Sequence, residues 1–177
     1  MKEIEVKAKL RDRKTVVNKL QILGCVLEKP LTQKDVIYVR NAGSLADFNN
    51  NTEYLRIRIK SNGKILFTVK KNAGNGLAKL EQETEIVSAG EMEKALLLMG
   101  YKEGVRVNKV RVTTTYNGCE ICIDEVEGLG SFIEMEEMSN DVDVEKIQEE
   151  LFEFFKTLGV EEKDRVHVGY DVLMLQK

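Results

Sequence analysis

The chain has a single histidine, His167, in 177 residues. With no second His and no Ser/Asp companion at a recognisable spacing, it builds neither a zinc site nor a nucleophilic triad, and those two classes are set aside. Cysteine is scarce too. Cys25, Cys119 and Cys122 are an odd number in a chain too large to depend on disulfides, which suits a reducing compartment. Cys119-Glu120-Ile121-Cys122 has the spacing of a redox or zinc pair, yet it follows an Asn117-Gly118 turn in a β-type run. On a strand, residues three apart point to opposite faces, so the pair is read as structural. No apolar run approaches the roughly 20 residues of a membrane helix, and no basic-then-apolar leader precedes the first strand. The expected location is the cytoplasm, with no membrane partner. A net charge of -3 argues against a nucleic-acid surface, so any anion site has to be a local concentration of Lys and Arg.

What the chain does have is charge arranged in alternation. Charged residues make up 32% and apolar ones 42%, a composition that fits one globular domain over residues 1–177 with a sizeable core. In the opening stretch Ile4, Val6 and Ala8 alternate with Glu3, Glu5 and Lys7, which puts the apolar set on one face of a strand and the charged set on the other. Leu55-Arg56-Ile57-Arg58-Ile59-Lys60 repeats the pattern, and Ser61-Asn62-Gly63 signals a hairpin into a strand on which Leu66, Thr68 and Lys70 share a face. After Gly74-Asn75-Gly76, a strand from Lys79 to Val87 carries Glu81, Glu83 and Glu85 on one side. A run from Tyr101 to Tyr116 groups Val107, Lys109, Arg111 and Thr113, and Asn117-Gly118 folds it back onto Glu120 to Glu125, where Cys122 and Asp124 share a face. Beyond Gly128-Leu129-Gly130, Glu134 and Glu136 alternate with Ile133 and Met135.

Three helical stripes interrupt the strands. Asp12 caps a helix with Val16, Leu20 and Leu23 on one side, stopping at Gly24. A second, from about Ala89 to Met99, shows Met92, Leu96 and Met99 before Gly100. A third, capped by Asp141 or Asp143, presents Ile147, Leu151, Phe154, Phe155 and Leu158 before Gly159. Between the first helix and the first basic pair, a β run from Val26 to Val39 is interrupted by Pro30. The polar loop from Ala42 to Thr52, with Asn49-Asn50-Asn51, is the candidate mobile segment. Residues 164–177 are left open between helix and strand. The order strand, helix, Gly, strand occurs twice, opened by Glu3-x-Glu5 and Glu83-x-Glu85, which suggests two half-units.

Solvated sheet faces normally mix Thr, Ser and Gln with charges, whereas here the polar positions hold formal charges in like-signed pairs. A closed barrel accounts for them. Apolar faces point outward under the helices, charged faces point into a lumen, and closure removes the sheet edges. A lumen lined by Lys7, Arg56, Arg58, Lys70, Lys109 and Arg111 suits a linear polyanion, gripped in pairs by guanidinium groups and by lysine point charges. The opposing carboxylates suit hard divalent cations, Mg²⁺ or Mn²⁺, which take oxygen ligands and bridge to phosphate. Together they describe phosphoryl or nucleotidyl transfer.

These residues resemble the CYTH superfamily, the triphosphate tunnel metalloenzymes. Glu3-Ile4-Glu5-Val6-Lys7 matches its E-x-E-x-K, Leu55-Arg56-Ile57-Arg58 its L-R-x-R, and Thr68-Val69-Lys70 its T-x-K. Glu83-Thr84-Glu85, Lys109-Val110-Arg111 and Asp124 through Gly128-Leu129-Gly130-Ser131-Phe132-Ile133-Glu134-Met135-Glu136 complete a match over residues 1–138. The resemblance implies an α+β fold, a closed eight-stranded antiparallel β-barrel or triphosphate tunnel with flanking helices. It places Glu3, Glu5, Asp124, Glu134 and Glu136 on a metal-binding side, with Glu83 and Glu85 ligating metal or orienting neighbouring bases. The six bases fall on the substrate side, and Lys7, Lys109 and Glu136 are the candidate catalytic residues. There are departures: Gln33-Lys34-Asp35-Val36-Ile37-Tyr38 shifts a tyrosine of the family's Q-x-D-x-Y-F by one, and Glu81 stands where a basic residue is common.

The branch this chain looks most like is the class IV adenylyl cyclases, which convert ATP to cyclic AMP and pyrophosphate. The alternative is hydrolysis of the terminal phosphate of thiamine triphosphate or inorganic tripolyphosphate on the same electrostatic frame. A third reading is a non-catalytic polyphosphate-binding module. The expected partner is therefore a nucleoside or organic triphosphate or inorganic tripolyphosphate, not nucleic acid. A homodimer is compatible with the architecture, although no stripe marks an interface.

Overall fold

The period-two alternation closes into a barrel because every strand offers one apolar and one charged face. The computed structural model describes residues 2–40, 53–72, 77–140 and 143–177. The Ala42–Thr52 loop, the Gly74-Asn75-Gly76 turn and Asp141 lie outside them. The strands are β1 (Lys2–Lys9), β2 (Leu31–Val39), β3 (Tyr54–Lys60), β4 (Ile65–Asn72), β5 (Ala78–Glu85), β6 (Lys102–Tyr116), β7 (Cys119–Val126), β8 (Gly130–Ser139) and β9 (Arg165–Val166). Helices α1 (Arg13–Ile22), α2 (Ala89–Leu98), α3 (Val144–Leu158) and α4 (Tyr170–Leu175) flank them. All neighbours are antiparallel, in the order β5-β4-β3-β2-β6-β7-β8-β1, and β1 returns to β5 to close an eight-stranded barrel.

The closing seam is short. One edge of β1 pairs with β8 along its whole length, while its other edge is divided between β5, through Glu3 with Lys79 and Ile4 with Ala78, and β9, through Lys7 with Val166 and Ala8 with Arg165. The carboxy-terminal stretch left open by the sequence thus supplies a two-residue strand that finishes the seam, then α4. The β run expected from Val26 begins only at Leu31. Pro30 has no N–H to give a ladder, and the preceding residues are tied to β6 individually, with Glu28 N–H donating to the Thr113 carbonyl at 2.9 Å.

The core lies outside the barrel. Val6, Ala8, Ile121, Ile123, Ile133 and Met135 point outward and are covered by Val16 and Leu20 of α1 and Leu151, Phe152, Phe155 and Leu158 of α3. On the opposite side Leu96 of α2 packs on Tyr38, Leu55 and Ile57. Helices α1, α2 and α3 each begin on an acceptor side chain: Asp12 for Thr15 N–H, Ser88 for Glu91 N–H and Asp143 for Lys146 N–H. Asn117 (φ 50) and Gly118 (φ 84) give the left-handed backbone of the tight β6–β7 hairpin. Among the described residues no helix is long and apolar enough to cross a membrane.

Inside, one end of the barrel is filled. The inward positions Ile37, Val107, Val126 and Phe132 are apolar and pack against Tyr170, Leu173 and Met174 of α4, so that helix seals this end. Phe155 is fully buried, whereas Leu98 is 90% exposed. Phe155→Ala should therefore cost about 3–5 kcal/mol in urea unfolding, and Leu98→Ala no more than about 0.5 kcal/mol. Equal costs would contradict a core placed between helix and barrel.

Candidate functional site in the barrel lumen

Alternation carries Glu3, Glu5 and Lys7 of β1, Arg56 and Arg58 of β3, Lys70 of β4, Lys109 and Arg111 of β6, and Glu134 and Glu136 of β8 into one cavity of about 730 Å³. All six bases expected from the sequence line it, and Lys7, Arg58, Lys70 and Lys109 are buried. Charges this deep have to be compensated, and each base has at least one carboxylate partner.

The partners form three groups. Lys7 Nζ lies 2.9 Å from Glu5 and 3.0 Å from Glu134, Glu134 also pairs with Arg111, and Arg111 and Lys109 share Asp124 at 2.5 and 2.8 Å. Lys70 reaches Glu3 at 3.6 Å and also pairs with Glu81, which with Glu83 holds Arg56 Nη2, each at 3.2 Å. Arg58 meets Asp35 side-on, Nε to Oδ1 at 2.8 Å and Nη2 to Oδ2 at 2.7 Å. The first group is joined to the sealed end, because the Lys7 and Lys109 ammonium groups stand 4.2 and 4.9 Å from the Tyr170 ring centroid.

These environments sort the carboxyls into two sets. Burial raises Glu134 and Asp124, but Lys7 and Arg111 for the first, Arg111 and Lys109 for the second, outweigh it and hold them below the usual carboxylate range. Glu3, Glu5 and Glu136 are different. Burial and a hydrogen bond with Glu81 push Glu3 up to about 9, burial raises Glu5 against the pull of Lys7, and burial with Glu120 and Glu5 nearby raises Glu136. Glu5 and Glu136 face each other across β1 and β8. Burial lowers Lys109, and the Arg111 charge adds to that.

Glu3, Glu5 and Glu136 offer the oxygen donors that a hard cation takes, and burial raises all three. Among the described residues no three such groups converge closely enough to hold an ion. Asp124, expected on the metal side, is fully buried behind Lys109 and Arg111, where it orients both bases. Glu134 is likewise engaged by Lys7 and Arg111. Glu83 lines the lumen beside Arg56. Glu85 does not join them: its side chain is 59% exposed, 3.9 Å from Lys64, because it lies at the end of β5.

Sequence reasoning did not single out Asp35, Glu81 or Tyr170 as site residues. The period-two pattern could have found the first two, since Asp35 stands two residues beyond Gln33 and Glu81 two before Glu83, all of them lining the lumen. Tyr170 carried no such signal, because its place depends on α4 folding back over the barrel. His167 is exposed at the cavity wall.

A closed antiparallel barrel whose interior pairs six bases with carboxylates is a charge-lined β-tunnel. The chain belongs to the CYTH domain family, whose model matches residues 1–170. It is 31% identical over 173 residues to the Methanocaldococcus jannaschii protein named "Putative adenylate cyclase MJ0240", covering 96% of this chain and 97% of that one. The PH1819 protein of Pyrococcus horikoshii superposes with a TM-score of 0.83 at 28% identity over 98% of each chain. A Hippeastrum protein described as a "Putative adenylyl cyclase" that "reveals a dominant triphophatase activity" shares the fold at 19% identity, TM-score 0.63, over 100% of this chain and 97% of its own.

The Asp35–Arg58 pair generates a pH prediction. Burial acts upward on Asp35, but Arg58 outweighs it and holds the carboxyl down to about 2, against an ordinary 3.8. A depressed folded-state value contributes stability that is complete above the unfolded value and lost as pH falls through the folded one, here on the order of 2 kcal/mol. Asp35→Asn should therefore be less stable than wild type at neutral pH, with the gap closing between about pH 4 and pH 2 in denaturant titrations. A gap that ignores pH would contradict the pairing.

Proposed function

We propose that this chain is a metal-dependent hydrolase that removes the terminal phosphate of a linear triphosphate held in the lumen. The observation that carries the reading is the position of Lys7, bonded to Glu5 and Glu134 and seated over Tyr170 of the sealing helix. A chain of phosphates enters from the open mouth, so its terminal phosphorus travels deepest and comes to rest beside this group. Beyond it lies the apolar filling of Ile37, Val107, Val126, Phe132 and Tyr170.

All six bases are already paired, so a polyanion that takes them strands their carboxylates unless cations arrive with it. Glu3, Glu5 and Glu136 would hold Mg²⁺ or Mn²⁺, which supplies Lewis-acid polarisation and lowers the pKa of bound water. Arg56, Arg58, Lys70 and Arg111 grip phosphate oxygens, with Asp35 fixing the plane of Arg58 and Asp124 that of Arg111. Lys7 and Lys109 face the terminal phosphoryl group, where they stabilise charge as the water oxygen bonds to phosphorus and the bridging P–O bond breaks. Orthophosphate, carrying the water oxygen, and the shortened phosphate, whose terminal oxygen or the solvent takes up the water's second proton, both leave by the open mouth.

The name of the 31% identical relative favours a second reading, cyclisation of ATP. In it the ribose 3′-hydroxyl attacks the α-phosphorus, which requires that phosphorus, instead of the terminal one, to lie beside Glu5 and Glu136. Incubation with Mg²⁺ or Mn²⁺ and tripolyphosphate, thiamine triphosphate or ATP separates them. Orthophosphate is the expected product. Cyclic AMP with pyrophosphate would establish the second reading, and binding without turnover a binding module.

Two substitutions test the roles. Glu136→Gln should abolish turnover while leaving the circular dichroism spectrum unchanged, and full activity at saturating metal would remove it from the cation side. Arg58→Ala should weaken triphosphate binding by on the order of 2 kcal/mol, as expected for the loss of a charged hydrogen bond. Unchanged affinity in calorimetry would exclude Arg58 from the site.

A further inference from the structure

Two inward carboxylates hold substrate-side bases in very different ways. Asp35 gives both oxygens to one guanidinium, side-on at 2.8 and 2.7 Å, and is buried. That geometry fixes Arg58 in one plane and leaves Nη1, the nitrogen Asp35 does not use, for a guest. Glu81 divides its oxygens between two bases on two strands: Oε1 is 3.2 Å from Arg56 Nη2 of β3, and Oε2 pairs with Lys70 Nζ of β4.

A carboxylate suspended between an arginine and a lysine presents two anionic oxygens where a phosphate would present its own. We propose that Glu81 is an internal substitute for the guest, occupying the phosphate position between Arg56 and Lys70 while the lumen is empty and yielding it when a triphosphate enters. The inference rests on the reading of the lumen as a triphosphate site and adds the residue that sets its affinity and its dependence on divalent cations. The Glu81 side chain is 17% exposed and lines the open cavity, so its displacement is a rotation of one side chain within the space already present. Arg56 keeps a hydrogen bond to Thr68 at 3.1 Å and a pair with Glu83 throughout, and Lys70 keeps Glu3.

If Glu81 competes with the guest, removing its charge strengthens binding; if it only orients the two bases, removing it weakens binding. The sign decides. Calorimetric titration of tripolyphosphate into wild type and Glu81→Gln, with EDTA and then with Mg²⁺, is expected to show about tenfold tighter binding by the variant in EDTA, near 1.4 kcal/mol. The difference should shrink with Mg²⁺, because the ion neutralises the displaced carboxylate in wild type. Glu83→Gln, which removes the charge beside Arg56 but not beside Lys70, should gain less. Equal or weaker binding by a Glu81→Gln protein with a wild-type melting curve would overturn the role of Glu81. If Glu81→Gln does not fold, Glu81→Asp, whose shorter side chain cannot span both bases, must still bind more tightly in EDTA. Absence of binding by wild type with or without Mg²⁺ would instead overturn the triphosphate reading beneath it.

Discussion

Formal charge inside a protein must be neutralised where it stands, and that constraint shapes this barrel more than any apolar contact does. Strands that place like charges two residues apart cannot face a shared interior unless strands of opposite sign face them. The sheet order brings this about. β1, β5 and β8 carry most of the carboxylates, β3 and β6 most of the bases, and closure sets the two sets against each other around a cavity of about 730 Å³. The apolar faces, turned outward by the same alternation, become the core only because α1, α2 and α3 cover them.

The neutralisation is uneven, and the unevenness is what a guest and its cations would exploit. Asp35, Asp124 and Glu134 are held ionised by neighbouring bases and act as the frame that aims them. Glu3, Glu5 and Glu136 are raised, burial being the first cause in each, and are the carboxyls a divalent cation would relieve. On the proposed function, such a lumen would take anion and metal together.

Much of this was legible in the sequence because a strand's side-chain period is two, so one alternating run fixes which residues share a face. The six bases and Glu3, Glu5, Glu134 and Glu136 follow from that rule and from closure. Glu85 shows its limit: alternation assigns a face and says nothing of depth, and Glu85 ends at the rim beside Lys64. Asp124 shows another, since a carboxylate on the right face can lie behind the bases it supports. The seal was illegible because Tyr170, Leu173 and Met174 belong to a short segment whose position depends on contacts far away in sequence, with Ile37, Val107 and Phe132. Apolar inward positions on otherwise charged faces were the hint that one end of the barrel is filled.

The most direct measurement is a crystal structure with a non-hydrolysable triphosphate analogue and Mn²⁺, whose anomalous scattering locates the ion. The account predicts manganese among Glu3, Glu5 and Glu136, phosphate oxygens on Arg56, Arg58 and Arg111, and the terminal phosphorus at the sealed end beside Lys7. Manganese or phosphate bound on the outer surface, with the internal ion pairs intact, would contradict it.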